Sequence, residues 1–314
     1  MRKIGFVDHP VFREHHTGAG HPESHQRLIA IENRLKETGM VNHLIPVEAT
    51  PIDPQKLSPI HQEGYVREAL NFCRAGEGYI PSMEVEVGPA TAEAALRAAG
   101  GCVNAAMKVL DGELDSAFCA VRPPGHHATY NTAMGFCLFN NIAVTTHHLL
   151  ERGLSRILIL DWDLHHGNGT QAAFYNDCRV FFISLHQRGI YPPGSGYEQE
   201  RGAGEGEGFN WNIPLEPETG HDEILEIFNN RIEPRVLEFQ PEFILISAGF
   251  DGHRDDNLGN LAWEERTYTE ATRIIRKWAK ISANDRIVSI LEGGYNTTAL
   301  ALSVDAHLQV LLEP

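Results

Sequence analysis

The segment Arg156-Ile-Leu-Ile-Leu-Asp-Trp-Asp-Leu-His-His-Gly-Asn-Gly-Thr170 decides the fold class. Ile157 to Leu160 are all apolar, the pattern of a strand buried on both faces of a parallel sheet. The segment then runs straight into Asp161, Asp163, His165 and His166. Glu242-Phe-Ile-Leu-Ile-Ser-Ala-Gly-Phe-Asp251 does the same and ends on a further aspartate. Ligands in open α/β sheets bind beyond the carboxyl ends of the strands. Two buried strands that release carboxylates and an imidazole there predict an α/β protein with a metal site. Carboxylate oxygen and imidazole nitrogen suit a divalent ion such as zinc, and ligand type alone does not separate zinc from iron(II) or cobalt.

Outward from these two segments, short apolar runs alternate with helix-like stretches. Strands are predicted at 3–7, 43–47, 115–121, 156–161, 179–185, 209–213, 242–248 and 286–291. Helices are predicted at 24–37, 62–74, 90–111, 140–152, 168–175, 221–238, 264–280 and 297–312. Such alternation implies an open α/β sheet covered by helices on both sides. Residues 186–208 resist this reading, because Pro192-Pro193 and a run of glycines mark a long functional or disordered loop. Arg122–Asn140, opening with Pro123-Pro124-Gly125, is loop-like as well.

Four predicted strands lead to titratable groups: 115–121 to His126 and His127, 156–161 to Asp163, His165 and His166, 242–248 to Asp251 and His253, and 286–291 to Glu292-Gly-Gly-Tyr-Asn296. Any one alone reads as an ordinary polar loop. Together they point to one site. Asp163, His165 and Asp251 form a three-ligand set that leaves a coordination position open, the mark of a catalytic ion. Such an ion acidifies its water and polarises a carbonyl. A tandem imidazole can take and return the proton, and Tyr295 can donate to a developing oxyanion.

The chain has 314 residues, 42% hydrophobic and 22% charged, an ordinary globular composition with ample length for a core. A formal charge of −16 argues against nucleic acid, which needs clustered cations; it is compatible with a cationic substrate, but reads first as a simple aid to solubility. Five scattered cysteines without a CxxC pair indicate neither a disulfide framework nor a thiolate metal site, and fit a reducing compartment. The N-terminus lacks the apolar run of a signal peptide. No stretch reaches the roughly 18 apolar residues needed to span a bilayer. The expectation is a cytoplasmic protein without membrane contact.

The longer motifs carry a resemblance. Gly18-Ala-Gly-His-Pro-Glu23 with Arg27, Arg122-Pro-Pro-Gly-His-His-Ala128, Gly135-Phe-Cys137 with Asn140-Asn141, Asp161 through Thr170, Ser184-Leu-His186, Tyr191-Pro-Pro-Gly-Ser-Gly196, Ser247-Ala-Gly-Phe-Asp251 and Glu292 through Asn296 occur in this order. Together they resemble the zinc-dependent histone deacetylase superfamily, in its class II-like bacterial amidohydrolase and acetylpolyamine amidohydrolase group. The resemblance implies an arginase-like three-layer fold with a central eight-stranded parallel sheet, and residues 1–314 as a single catalytic domain. It implies hydrolysis of acetyl or related acyl groups from amines such as acetyl-lysine or acetylpolyamines, by direct attack of zinc-bound water.

Residue by residue, it implies one zinc ion on Asp163, His165 and Asp251. His127 is then the principal acid/base, His126 its electrostatic partner, Asp161 and Asn168 the groups behind them, and Tyr295 the transition-state donor. Gly135, Phe136, Tyr191, Leu258 and Gly293 would contact substrate. Tyr191 stands where the family usually has Phe, and Leu258 where a polyamine-selective branch has Glu. Glu84 falls near an acidic position that grips substrate backbone. A structural potassium ion is implied at Asp161, Asp163, His165, Ser184 and Leu185. The resemblance also leaves a homo-oligomer open.

His186 and His253 read as surface or supporting histidines, and His9, His15, His16 and His21 either as residues of a loop at the mouth or, equally, as solvated loop histidines. Two rival functions stand beside hydrolysis. A binuclear manganese ureohydrolase needs further carboxylates where the chain has Gly167 and His253. A non-catalytic acyl-lysine or polyamine binder would be expected to lose groups such as Tyr295, which is present.

Overall fold

A computed structural model describes residues 2–76, 78–80 and 85–314. The strands are β1 (Ile4–Val7), β2 (Leu44–Val47), β3 (Gly78–Ile80), β4 (Val85–Val87), β5 (Ser116–Cys119), β6 (Ile157–Asp161), β7 (Val180–Gln187), β8 (Asn210–Leu215), β9 (Phe243–Ala248) and β10 (Ile287–Leu291). Among the described residues, eight of them form one sheet in the order β2-β1-β5-β10-β9-β6-β7-β8. Every neighbouring pair in it is parallel. All eight predicted strands are present. β3 and β4, each too short to leave a periodic signal, add an antiparallel pair that the sequence reading missed.

The helices are α1 (Val11–Glu14), α2 (Gln26–Glu37), α3 (Glu63–Ala75), α4 (Thr91–Leu110), α5 (Asn141–Glu151), α6 (Asn168–Phe174), α7 (His221–Ile227), α8 (Glu233–Phe239), α9 (Glu265–Ser282) and α10 (Thr297–Leu312). Side chains alternate across a strand, so neighbours on β5 report on opposite faces. Phe118 meets His307 of α10 at a ring distance of 5.9 Å, whereas Cys119 hydrogen-bonds Cys102 of α4. α10 and α4 therefore cover opposite faces. α2 and α9 pack beside α10, and α5 beside α4. This is the three-layer architecture expected.

The predicted helix at 221–238 is instead α7 and α8 joined by a π turn over Phe228–Ile232. Pro234 cannot donate a backbone hydrogen bond, and its ring crowds the carbonyl four residues back, so the helix widens there. Among the described residues no helix is long and apolar enough to cross a membrane.

The strand order fixes where chemistry can sit. The chain passes from β5 to β6 across a gap two strands wide, which β9 and β10 later fill. Such a reversal of order is where open α/β sheets bind ligands. The four strands around it are those whose ends carry the histidine pair, Asp163 with His165, Asp251, and Tyr295.

Candidate metal centre and active site

β6 is buried at every position and ends at Asp161, so the residues that follow turn over the edge of the sheet. Asp163, His165 and Asp251 converge there, each offering a ligand atom within 4.8 Å of the others. His165 Nδ1 lies 3.2 Å from Asp163 Oδ1 and 3.1 Å from Asp251 Oδ2. The free carboxylate oxygens are held by backbone amides: Gly293 donates to Asp163 Oδ2 at 2.7 Å and Leu164 to Asp251 Oδ1 at 3.0 Å. Gly293 has to be glycine, because a Cβ would lie 2.2 Å from Asp251 Oδ2 and 2.6 Å from Asp163 Oδ2. Two acids and one imidazole, preorganised and with only His165 reaching 12% exposure, fit a divalent cation with an open position.

Without a cation the cluster keeps a proton. Burial disfavours charge on His165, but its bonds to Asp163 and Asp251 outweigh burial and push its pKa up to about 10. Burial, then the neighbouring Asp163, raises Asp251. Cation binding near neutral pH therefore displaces a proton from the imidazole.

The histidine pair sits beside this cluster with ring centroids 4.0 Å apart. The two rings have different partners. His126 Nδ1 is 2.9 Å from Asp161 Oδ2, and His127 Nδ1 is 2.8 Å from Asn168 Oδ1. Burial works against charge on His126, but Asp161, Asp163 and Glu292 prevail and push it up to about 10. Burial, reinforced by the positive charges of His126 and His165, drives His127 well below the ordinary histidine value. Their surroundings thus favour the charged form on His126 and the neutral form on His127. The Nδ1–H of His127 donates to Asn168, which leaves Nε2 as the basic atom.

A cavity of about 500 Å³ opens above these groups, lined by His21, Glu86, His127, Gly135, Phe136, His165, Tyr191, Leu258 and Tyr295. Tyr191 is edge-on to His127 at 5.0 Å, Phe136 edge-on to Tyr295 at 6.0 Å, and His21 edge-on to Phe136 at 4.6 Å. The Gly135 carbonyl already accepts the Cys137 thiol at 3.3 Å and keeps a second lone pair. Burial, then Asp251 and Asp163, raises Tyr295 well above the ordinary phenol value and keeps it a donor.

The structure thus brings together the predicted metal, histidine-pair and substrate residues. Gly293 alone among the substrate residues does not line the cavity: it packs beneath it against both carboxylates. Asp161 faces Ser184 across the β6–β7 register, with Leu185 next in β7. Ser184 Oγ is 2.9 Å from His186 Nδ1.

The other histidines divide. His186 and His253 are buried, which bears out the supporting rather than the surface alternative. His21 reaches the cavity, but His15 is buried against Thr91 at 2.8 Å and His16 pairs with His25. Loop 186–208 is ordered enough to extend β7 to Gln187 and to seat Tyr191.

Glu84 lies outside the described residues, and among the described residues Glu86 is the acidic side chain that lines the cavity. Glu86 stands in a strand of only three residues, too short to leave a signal in the sequence. Glu23 likewise has no role legible from its neighbours in sequence. This buried carboxylate receives Arg122 Nη2 at 2.8 Å and Arg27 Nη1 at 3.1 Å, and Arg122 reaches on to the carbonyls of Phe12 and His15.

Known proteins agree with this geometry. The model of the histone deacetylase domain matches residues 21–311. A probable deacetylase of Archaeoglobus fulgidus is 41% identical over 294 residues, which is 93% of this chain and 81% of that protein. A histone deacetylase-like amidohydrolase of Pseudomonas aeruginosa is 37% identical over 281 residues, 89% of this chain and 74% of that protein. The crystal structure of the HDA15 HD domain superposes with a TM-score of 0.94 at 34% identity, covering 99% of this chain and 88% of that one. With its parallel sheet and its Asp-His-Asp cluster beside a histidine pair, this chain belongs to the histone deacetylase family of hydrolytic deacetylases.

Proposed function

We propose that the protein removes acetyl or related acyl groups from amines such as acetyl-lysine or acetylpolyamines, with one zinc ion held by Asp163, His165 and Asp251. The observation that carries this reading is the pair of imidazoles beside the cation cluster, one backed by Asp161 and the other by Asn168. A hydrolase needs one group that can accept a proton, which the neutral His127 supplies, and a fixed positive charge nearby, which His126 supplies. When bound, zinc would act as a Lewis acid on the acyl carbonyl and acidify water.

The residues of the chain supply the rest. His127 Nε2 takes the proton from water and later delivers it to the departing amine. Asn168 keeps that ring in the right tautomer, and Asp161 keeps His126 charged. Tyr295 donates its hydroxyl to the developing oxyanion, so it acts on charge that exists only in the transition state. The Gly135 carbonyl accepts the amide N–H of the substrate. Phe136 and Tyr191 flank the aliphatic linker and exclude water, and Leu258 stands at the mouth. Residues 1–314 are proposed to act as a single catalytic domain, supported by one hydrophobic cluster that reaches from Ile4 to Leu311. A potassium ion is proposed at Asp161, Asp163, His165, Ser184 and Leu185, partly through backbone oxygens. The adjacency of β6 and β7 supports this.

A ureohydrolase is disfavoured by Gly167, where a Cβ would already lie 2.1 Å from Asp161 Oδ2 and no carboxylate could stand. His253 points instead toward Asp255 and Glu265, at 3.8 and 3.7 Å. The test is turnover of a fluorogenic acetyl-lysine amide and a panel of acetylated polyamines, with metal analysis on the same samples. Zinc-dependent release of acetate is expected. Tight binding of the panel without hydrolysis by the zinc-loaded protein would leave only the binder.

A further inference from the structure

Asp256 belongs neither to the cation cluster nor to the histidine pair. It lies in the segment between β9 and α9, five residues beyond Asp251, and is 6% exposed. Its carboxylate accepts three backbone amides. Oδ1 takes the N–H of Leu258 at 3.1 Å. Oδ2 takes the N–H of Tyr295 at 2.6 Å and of Asn296 at 2.9 Å. Hydrogen bonds to an ionised acceptor are about twice as strong as neutral ones. Asn296 strengthens the junction by donating Nδ2 to the Asp255 carbonyl at 2.8 Å, while its Oδ1 caps α10 through Ala299.

The turn that carries Tyr295 needs such a hold. It follows Gly293-Gly294, and Gly294 adopts a φ of +118°, so the backbone has little preference of its own there. Arg27 grips the turn on its carbonyl side, with Nε 2.7 Å from the Gly294 oxygen and its guanidinium 5.2 Å from the Tyr295 ring. Asp256 grips the same turn on its amide side, one residue along. It accepts the backbone amide of Tyr295 itself.

We infer that Asp256 is a positioning residue for the deacylation step: it sets the place of the Tyr295 hydroxyl and ties it to the loop that presents Leu258 at the mouth. The inference rests on the reading of Tyr295 as the oxyanion donor. A group shifted by about 1 Å can cost about 100-fold in rate. The loss should fall on kcat rather than KM, because the oxyanion forms only after binding.

A double-mutant cycle tests this. Asp256→Ala, Asp256→Asn and Tyr295→Phe are measured singly, and each Asp256 variant is also measured in the Tyr295→Phe background, with zinc content determined throughout. Asp256→Ala is expected to lower kcat up to about 100-fold with KM little changed, and to cost nothing further once Tyr295 is Phe. Asp256→Asn keeps one oxygen for the two amides of the turn and should retain more activity. Should the Ala variant fail to fold, the Asn variant carries the same cycle.

Equal losses in both backgrounds would overturn the inference, as would unchanged kcat with Tyr295 intact, or zinc lost from the variants. Full turnover by Tyr295→Phe alone is a separate result, and would sink the role of Tyr295 and the inference with it.

Discussion

The floor and the mouth of the cavity are built on different principles. At the floor, the acids and imidazoles come from the ends of adjacent central strands, and their atoms are already engaged by one another or by backbone amides. At the mouth, Leu258 is 38% exposed and stands on a loop, and the nearby carboxylate belongs to a strand of three residues. Reactivity requires fixed geometry, which strand ends supply. Substrate choice requires only shape and charge at an entrance, and loops can vary these without disturbing the sheet.

The largest effect that would break this contrast is at the floor. Asp251→Ala should abolish zinc binding and turnover together. Stoichiometric zinc in the purified variant would contradict the ligand set. The second test lies just behind the floor, at Glu23. Its removal leaves two buried guanidiniums uncompensated, and Glu23→Ala should cost about 3–5 kcal/mol of stability, read as a fall in denaturant midpoint. A midpoint within error of the parent would show that the ion cluster is not structural. Third, Tyr295→Phe should lower kcat by about 100-fold, the scale of one lost oxyanion donor. Near-normal turnover would remove it from the chemistry.

Fourth, the buried network makes the fold sensitive to acid. Burial lowers His15 and His307 to about 3 and His61 to about 4. Burial tends to raise Glu23, but Arg122 and Arg27 prevail and hold it well below the carboxylate range. Each group binds fewer protons folded than unfolded. Their stabilisation is complete above the unfolded values, about 6.5 for histidine and about 4.3 for glutamate, and drains as pH falls below them. Asp251 and Glu292, raised by burial to about 7, act the other way over this range, but His127, His166 and His186 join the lowered histidines. The metal-stripped protein should therefore melt lower at pH 4 than at pH 7, and a flat profile would refute this. The smallest effect is at the mouth. Leu258→Glu should shift the ratio of kcat/KM toward acetylated polyamines, by about 1 kcal/mol or less for a solvent-exposed charge. An unchanged ratio would remove Leu258 from substrate selection.

The same contrast explains what the sequence could tell. β6, β9 and β10 read correctly because strands buried on both faces are continuously apolar, and the groups they release stand out against that background. Asp163, His165 and Asp251 were legible for that reason. The histidine pair drew its distinct roles from the family resemblance, since spacing alone does not reveal which ring faces Asp161 and which faces Asn168. Asp256 was hidden because two of its three amide partners lie 39 and 40 residues away, which no side-chain pattern records. Glu23 was hidden for a similar reason: Arg122 is 99 residues distant. The π turn at Phe228–Ile232 is not legible in the helical pattern of 221–238, where Pro234 is its one local sign.

The interleaved strand order has a consequence for how the protein is made. β5 and β6 stand in place early in the chain but are kept apart by the width of two strands, and those strands arrive only with residues 243–291. During synthesis, the segment bearing the histidine pair and the one bearing His165 must wait for a late insertion before they can face each other across a finished centre. Catalytic competence is then among the last properties a nascent chain acquires, and any product that stops short of β10 is born inert.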